Sequence, residues 1–128
     1  TLIYTGMRWH VRAYCEKNRK YRDFVLSRLR GEISSERRTE NLIDEDEDWN
    51  TEVAVVIAPD SRLSLEQKAI IEADFGMQNG VLEIPTRRAL VKYVLQRFQI
   101  DPKKLDPKAA AQQIVVSNLD ELKPWLYE

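Results

Sequence analysis

The sequence predicts an α+β protein, with an antiparallel β-hairpin followed by a small α/β unit in β-α-β-α-β-α order. Three observations predict it. Residues 7–15 alternate Met7, Trp9, Val11, Ala13 and Cys15 with Arg8, His10, Arg12 and Tyr14, the period-two pattern of a strand with one buried face. After a polar, turn-like break at 16–20, residues 21–29 form a second run rich in aromatic and branched residues. Beyond residue 48, short apolar runs alternate with capped amphipathic stretches, which favours a small sheet with helices packed on one face.

Taken in order, residues 1–4 suit a short strand, with Thr5-Gly6 as the turn into the hairpin and Gly31 as its end. The charged stretch 32–38 suits a short helix or loop leaving the sheet. Asp44, Glu45, Asp46, Glu47 and Asp48 are consecutive acids, and their mutual repulsion predicts an exposed linker. The expected organisation is therefore a first unit at 1–43, a linker at 44–48 and a second unit at 49–128. In the second unit, residues 52–58 read as a buried strand stopped by Pro59. Ser64 and Gln67 form a capping box for a helix that runs to Phe75 and is closed by Gly76. Asn79-Gly80 turns the chain into a strand at 81–85. Thr86 is placed to cap a helix whose apolar stripe is Val91, Val94, Leu95 and Phe98. Residues 113–117 suit a third strand, and Asn118 with Glu121 a second capping box opening a last helix.

A chain of 128 residues that is 43% hydrophobic and 32% charged can bury a core and stay soluble. No apolar run approaches the ~18 residues of a membrane span, and no signal peptide opens the chain. One cysteine cannot form an internal disulfide, so the cytoplasm is the expected compartment and Cys15 a small core residue. The net charge of −1 conceals segregation: residues 1–31 hold eight Lys or Arg against two acids, and residues 32–48 hold eight acids against two Arg. Such a pattern points to a local anionic partner, or to acids that neutralise the hairpin within the folded protein. The chain has no initiating Met, and a lone hairpin is marginal in water, so it is expected to be a piece of a longer protein.

Catalytic chemistry has no constellation to stand on. His10 is the one histidine, too few for a triad or a zinc site. Consecutive acids lack the spaced oxygens and glycine of a calcium loop. No metal, no cofactor and no enzymatic activity are expected. The hairpin offers more: His10, Arg12 and Tyr14 share one face, with Arg8 at its edge, and Arg22 and Arg28 lie on the second strand. Arginine forks suit phosphate, and histidine or tyrosine can stack on a base.

The run Arg8-Trp-His-Val-Arg-Ala-Tyr14, with Tyr21-Arg-Asp-Phe-Val-Leu-Ser-Arg-Leu29 after it, resembles the WYL domain of bacterial transcription regulators. Here the namesake Trp-Tyr-Leu is Trp9-His10-Val11, a departure at two of three positions, while Phe24, Leu26, Arg28 and Leu29 fit the family's second motif. Residues 67–90, with Asp74-Phe-Gly-Met-Gln-Asn-Gly80 and Arg87-Arg-Ala-Leu90, resemble the extension that follows WYL domains in regulators of CBASS and BREX anti-phage defence operons.

The resemblance implies a partial Sm-like, SH3-type β-barrel at 1–43 and a small α/β dimerisation domain at 49–128. It further implies operator binding by an N-terminal winged helix-turn-helix absent from this chain. The implied ligand is a nucleotide or single-stranded nucleic-acid fragment, held by His10, Arg12, Tyr14, Arg22 and Arg28, with Arg87 as an addition from the extension. The expected role is the ligand-sensing and dimerisation region of a repressor, in which Arg12→Ala or Arg28→Ala abolishes binding without unfolding the protein. The rivals are an Sm-like RNA- or ssDNA-binding module, and a pure dimerisation module whose basic face contacts Asp44 to Asp48.

Overall fold

The computed structural model describes residues 1–35 and 37–127. Glu36, inside the stretch expected to leave the first sheet as a short helix or loop, lies outside the described residues, as does Glu128. Strands β1 (Leu2–Tyr4), β2 (Trp9–Cys15) and β3 (Lys20–Val25) form an antiparallel sheet in the order β1-β2-β3. Leu2 pairs with Val11, and Val11 in turn with Phe24. Arg19 (φ 52°) completes the turn between β2 and β3. Among the described residues this sheet stays open and does not close into a barrel.

The second strand of the hairpin ends earlier than the run 21–29 suggests. Val25 pairs with His10, and residues 26–28 then wind into a single 3-10 turn. The reason is the length of β2. The Thr5 amide donates to the Arg8 carbonyl (3.2 Å), so β2 begins at Trp9 and offers little ladder past Val25. Gly31 (φ 90°) is therefore a later bend and not the strand's end.

The acidic stretch keeps Asp44, Glu45 and Glu47 exposed, as expected, but it is structured and buries Asp46. Residues 43–45 form a 3-10 turn, and Glu47–Asn50 is a one-turn helix, α1. Asp46 caps α1, accepting from the Trp49 amide at 3.3 Å, and is 1% exposed. Repulsion between neighbouring acids loses here because Asp46 turns inward onto a cation, as described below.

The second sheet has the order β5-β4-β6 and is wholly antiparallel, from β4 (Glu52–Pro59), β5 (Leu82–Arg87) and β6 (Ile114–Val116). Helix α2 (Leu65–Asp74) carries the expected capping box: Ser64 Oγ accepts from the Gln67 amide (3.2 Å) and Gln67 Oε1 from the Ser64 amide (3.0 Å). Asn79 (φ 55°) and Gly80 (φ 78°) are both left-handed between paired Gln78 and Val81, the backbone a type I′ turn demands.

Two expected caps are absent. Thr86 lies within β5 opposite Val53, and helix α3 (Val91–Arg97) is entered through a 3-10 turn at 88–90 with no side-chain cap. Helix α4 spans Ala109–Gln112, and α5 spans Leu119–Leu122. Asn118, ahead of α5, makes no cap hydrogen bond. Its amide continues the ladder past β6, with Nδ2 donating to the Ala54 carbonyl (2.7 Å) and Oδ1 accepting from the Val56 amide (3.1 Å). A side-chain amide mimics a peptide group here, and an unpaired buried peptide group is costly.

The core is built on β4, whose Val55 and Ile57 are fully buried against Ile71 of α2, Val91 and Leu95 of α3, Ile114 of β6 and Leu122 of α5. Among the described residues no helix is long and apolar enough to cross a membrane.

Candidate functional site

The first sheet turns the opposite face inward from the one its alternation suggests. On β2, His10 and Arg12 are buried, while Trp9 is 49% exposed. Their neighbour on β1, Ile3, is buried, while Leu2 and Tyr4 are exposed and Tyr4 packs its ring against Trp9 at 5.0 Å. Cys15 is half-buried, not core. The even-numbered face packs toward the acidic stretch and α3, and Asp46 of the acidic stretch satisfies Arg12.

Arg12 is the centre of that contact. Its Nε donates to Asp46 Oδ2 at 2.6 Å and its Nη2 to Asp46 Oδ1 at 2.9 Å, a bidentate pair. Its Nη1 donates to Oδ1 of Asp23, its cross-strand partner, at 3.0 Å. The other Asp23 oxygen accepts from the Tyr93 hydroxyl (2.5 Å) and faces Lys92 Nζ at 3.5 Å. Burial works to lower the Arg12 pKa, and the hydrogen bonds it donates to Asp46 and Asp23, with their negative charges, outweigh it, so the guanidinium is held above its ordinary range.

Beside this network lies an open cleft of about 560 Å³ between the end of β3 and α3. Arg8, Arg22, Arg28 and Lys92 line it, with His10, Phe24, Tyr93 and Gln96, and among the described residues Asp23 is the one carboxylate in its wall. The His10 ring packs against Tyr93 at 5.2 Å, and its Nδ1 is buried with no hydrogen-bond partner among the described residues. The exposed Arg8 and Arg28 make the open side of the cleft attractive to anions. Aromatic faces beside them suit a flat ring. Among the described residues no group of three His, Cys, Asp or Glu is placed to hold a metal.

Of the six residues expected to hold a ligand, His10, Arg22 and Arg28 line this cleft. Arg12 points away into its own ion pairs. Tyr14 stacks edge-on to Tyr21 at 5.2 Å, outside the cleft. Arg87 is also engaged elsewhere, its guanidinium lying over the Trp49 ring (4.5 Å) and donating to the Trp49 carbonyl (2.6 Å). Lys92, Tyr93 and Gln96 were not anticipated. Their signal is positional: they fall off the Val91, Val94, Leu95 and Phe98 stripe, and an aromatic on a helix's polar side invites a second contact.

The model of the BrxR transcriptional regulator C-terminal dimerization domain matches residues 52–122, more than half of the chain. The chain belongs to the BrxR C-terminal dimerization domain family. Relatives of this BrxR-type chain carry the name DNA-binding transcriptional repressor CapW. The protein from Pseudomonas aeruginosa is 38% identical over 124 residues, covering 95% of this chain and 40% of that protein. Its counterpart from Stenotrophomonas maltophilia is 33% identical over 99% of this chain and 42% of that protein, and one from Escherichia coli is 32% identical over 95% and 40%. The chain thus spans about two fifths of the length of the curated relatives it matches. These relatives are regulators and not enzymes. The BrxR match covers β4 to α5, whereas the cleft is shared between that region and the hairpin before it.

Proposed function

We propose that this chain is the ligand-sensing and dimerisation region of a cytoplasmic DNA-binding transcriptional repressor, controlling an anti-phage defence operon. Residues 1–43 act as the WYL-type sensor and residues 49–128 as the dimerisation domain, with the stretch between docked onto the sensor. Operator DNA is held by a part of the repressor outside this chain, in keeping with the share of its relatives that the chain spans. The ligand is a nucleotide or a short single-stranded nucleic acid.

The observation that carries this reading is the cleft, where Arg8, Arg22, Arg28 and Lys92 line the same space as His10, whose buried Nδ1 has no hydrogen-bond partner among the described residues. Because its walls come from both halves of the chain, a ligand there bears directly on how the halves are held. Regulation requires that the ligand favour one dimer geometry, since equal affinity for two geometries shifts nothing.

Calorimetry with short oligothymidylate tests the reading. Binding should weaken as salt rises, because phosphate contacts release counterions. Arg28→Ala, at an exposed position, should cost on the order of tenfold in affinity without changing the melting temperature, since one charge-assisted hydrogen bond is worth ~1.5–3 kcal/mol. Sedimentation should show a homodimer.

The Arg12–Asp46 pair favours a second reading, a pure dimerisation module whose hairpin charge is spent on its own acidic stretch. A salt-independent dimer that binds no oligonucleotide would select it.

A further inference from the structure

We infer that the outward side of helix α2, anchored by Leu65 and Ile70, is a face on which a second copy of this chain docks. This rests on the dimerisation half of the reading above and not on the cleft. Of its ten residues the helix buries only Ile71. Leu65 is 85% exposed and Ile70 61%. Ala69 and Ala73 are exposed as well, and with Leu65 they stand four residues apart on the side opposite Ile71. Scattered surface hydrophobics need no explanation, but here one short helix turns most of its apolar side chains to solvent.

The occupant follows from where the face lies. Helix α2 falls inside residues 52–122, the part that matches the dimerization domain. Among the described residues of that part, the large hydrophobic side chains left exposed are Leu65, Ile70 and Leu105. Arg62 brings the third toward the other two, its Nη2 and Nη1 donating to the Asp106 and Pro107 carbonyls at 2.8 and 3.2 Å. That clamp holds the loop after Leu105 against the turn leading into α2. The Ser64–Gln67 capping box fixes the first helical turn, so Leu65 is presented on a rigid element. A two-fold contact uses the same patch on both copies. With the axis passing by Ala69, the middle of the helix, the two copies of α2 run antiparallel. Leu65 of one copy then covers Ala73 of the other, and the small Ala69 side chains let the backbones approach. At 1.5 Å per residue the helix is about 15 Å long, so it supplies the apolar centre of the contact. The Leu105 loop widens that centre toward the ~800 Å² per partner of a stable interface.

Sedimentation of the full chain tests the face, and wild type should be a dimer. Leu65→Glu and Ile70→Glu, both at exposed positions, should each raise the dimer dissociation constant by roughly a hundredfold, because docking would bury an unpaired charge. The far-UV circular dichroism of both variants should stay that of wild type. A covalent probe needs no dissociation. In a Cys15→Ser background, Ala69→Cys should link to its own copy under mild oxidation, whereas Glu83→Cys, exposed on β5, should not. A dimer that survives both glutamates, or a disulfide with Glu83→Cys in place of Ala69→Cys, overturns the α2 face and leaves dimerisation through another surface. A monomeric wild type overturns self-association of this chain, and the α2 face with it. Neither outcome touches the cleft, which is read separately by oligothymidylate binding.

Discussion

Arg12 and Asp46 meet through two hydrogen bonds of 2.6 and 2.9 Å, joining the middle of β2 to the acidic stretch 34 residues later. Both groups are more than nine-tenths buried, so each charge depends on the other for its solvation. Desolvating two charges costs several kcal/mol, and only near-ideal geometry with further bonds returns it. Here Asp23 and the Trp49 amide supply those further bonds.

Removing either partner strands the other. Asp46→Ala and Arg12→Ala should each lower stability by ~3–5 kcal/mol, read as the shift in the urea midpoint. Arg12→Ala would therefore disturb the fold itself and is unsuitable for testing ligand contact, contrary to the sequence-based expectation. Asp44→Ala, at an exposed position, should change stability by less than ~0.5 kcal/mol.

Tyr93 ties α3 to the same network through its 2.5 Å bond to Asp23. Tyr93→Phe should cost about 1–2 kcal/mol, since it leaves a buried carboxylate oxygen short of a donor. A double-mutant cycle with Arg12→Ala should show coupling above ~0.5 kcal/mol, because both side chains bond one carboxylate.

Asn118 should act as a sheet residue and not as a helix cap. Asn118→Ala leaves the Val56 amide and the Ala54 carbonyl without their side-chain partners, at a cost of about 1–3 kcal/mol. Glu121→Ala, which would break a capping box equally, should cost less than ~0.5 kcal/mol. Hydrogen exchange at the Val56 amide should quicken in the first variant alone.

Asp60 gives the fold an acid-sensitive point. Its carboxylate accepts from Arg62 Nε (3.0 Å), Nη2 (2.7 Å) and the Arg62 amide (2.9 Å), while Arg62 also donates to the Asp106 carbonyl (2.8 Å). The hydrogen bonds from the Arg62 side chain, opposed by burial, hold Asp60 below the usual carboxylate range. A carboxylate whose pKa falls on folding stabilises above its unfolded pKa, and that stability is lost as pH drops through the folded value. The stability gap between wild type and Asp60→Asn should thus be constant near neutrality and should close below about pH 4, read from urea midpoints across pH.

Local signals in the sequence were accurate where the chemistry is local. The Ser64–Gln67 box, the Asn79-Gly80 turn and the Val91–Leu95 stripe each involve neighbours whose geometry the backbone alone constrains. Thr86 and Asn118 misled because a capping residue is recognised by type, and both types serve equally well beside a strand.

What the sequence determined by itself was the α+β class, the order of the strands with α2, α3 and α5 between and after them, and a hairpin rich in positive charge. Which face of that hairpin is buried was decided by tertiary structure alone. Alternation separates two faces but does not say which one meets the rest of the molecule. The default, apolar side inward, was overturned because Asp46, Asp23 and Tyr93 arrive from three other elements to satisfy Arg12 and the groups around it. The same docking brings Lys92 and Tyr93 to Arg22 and Arg28, creating a cleft that neither half of the chain contains alone.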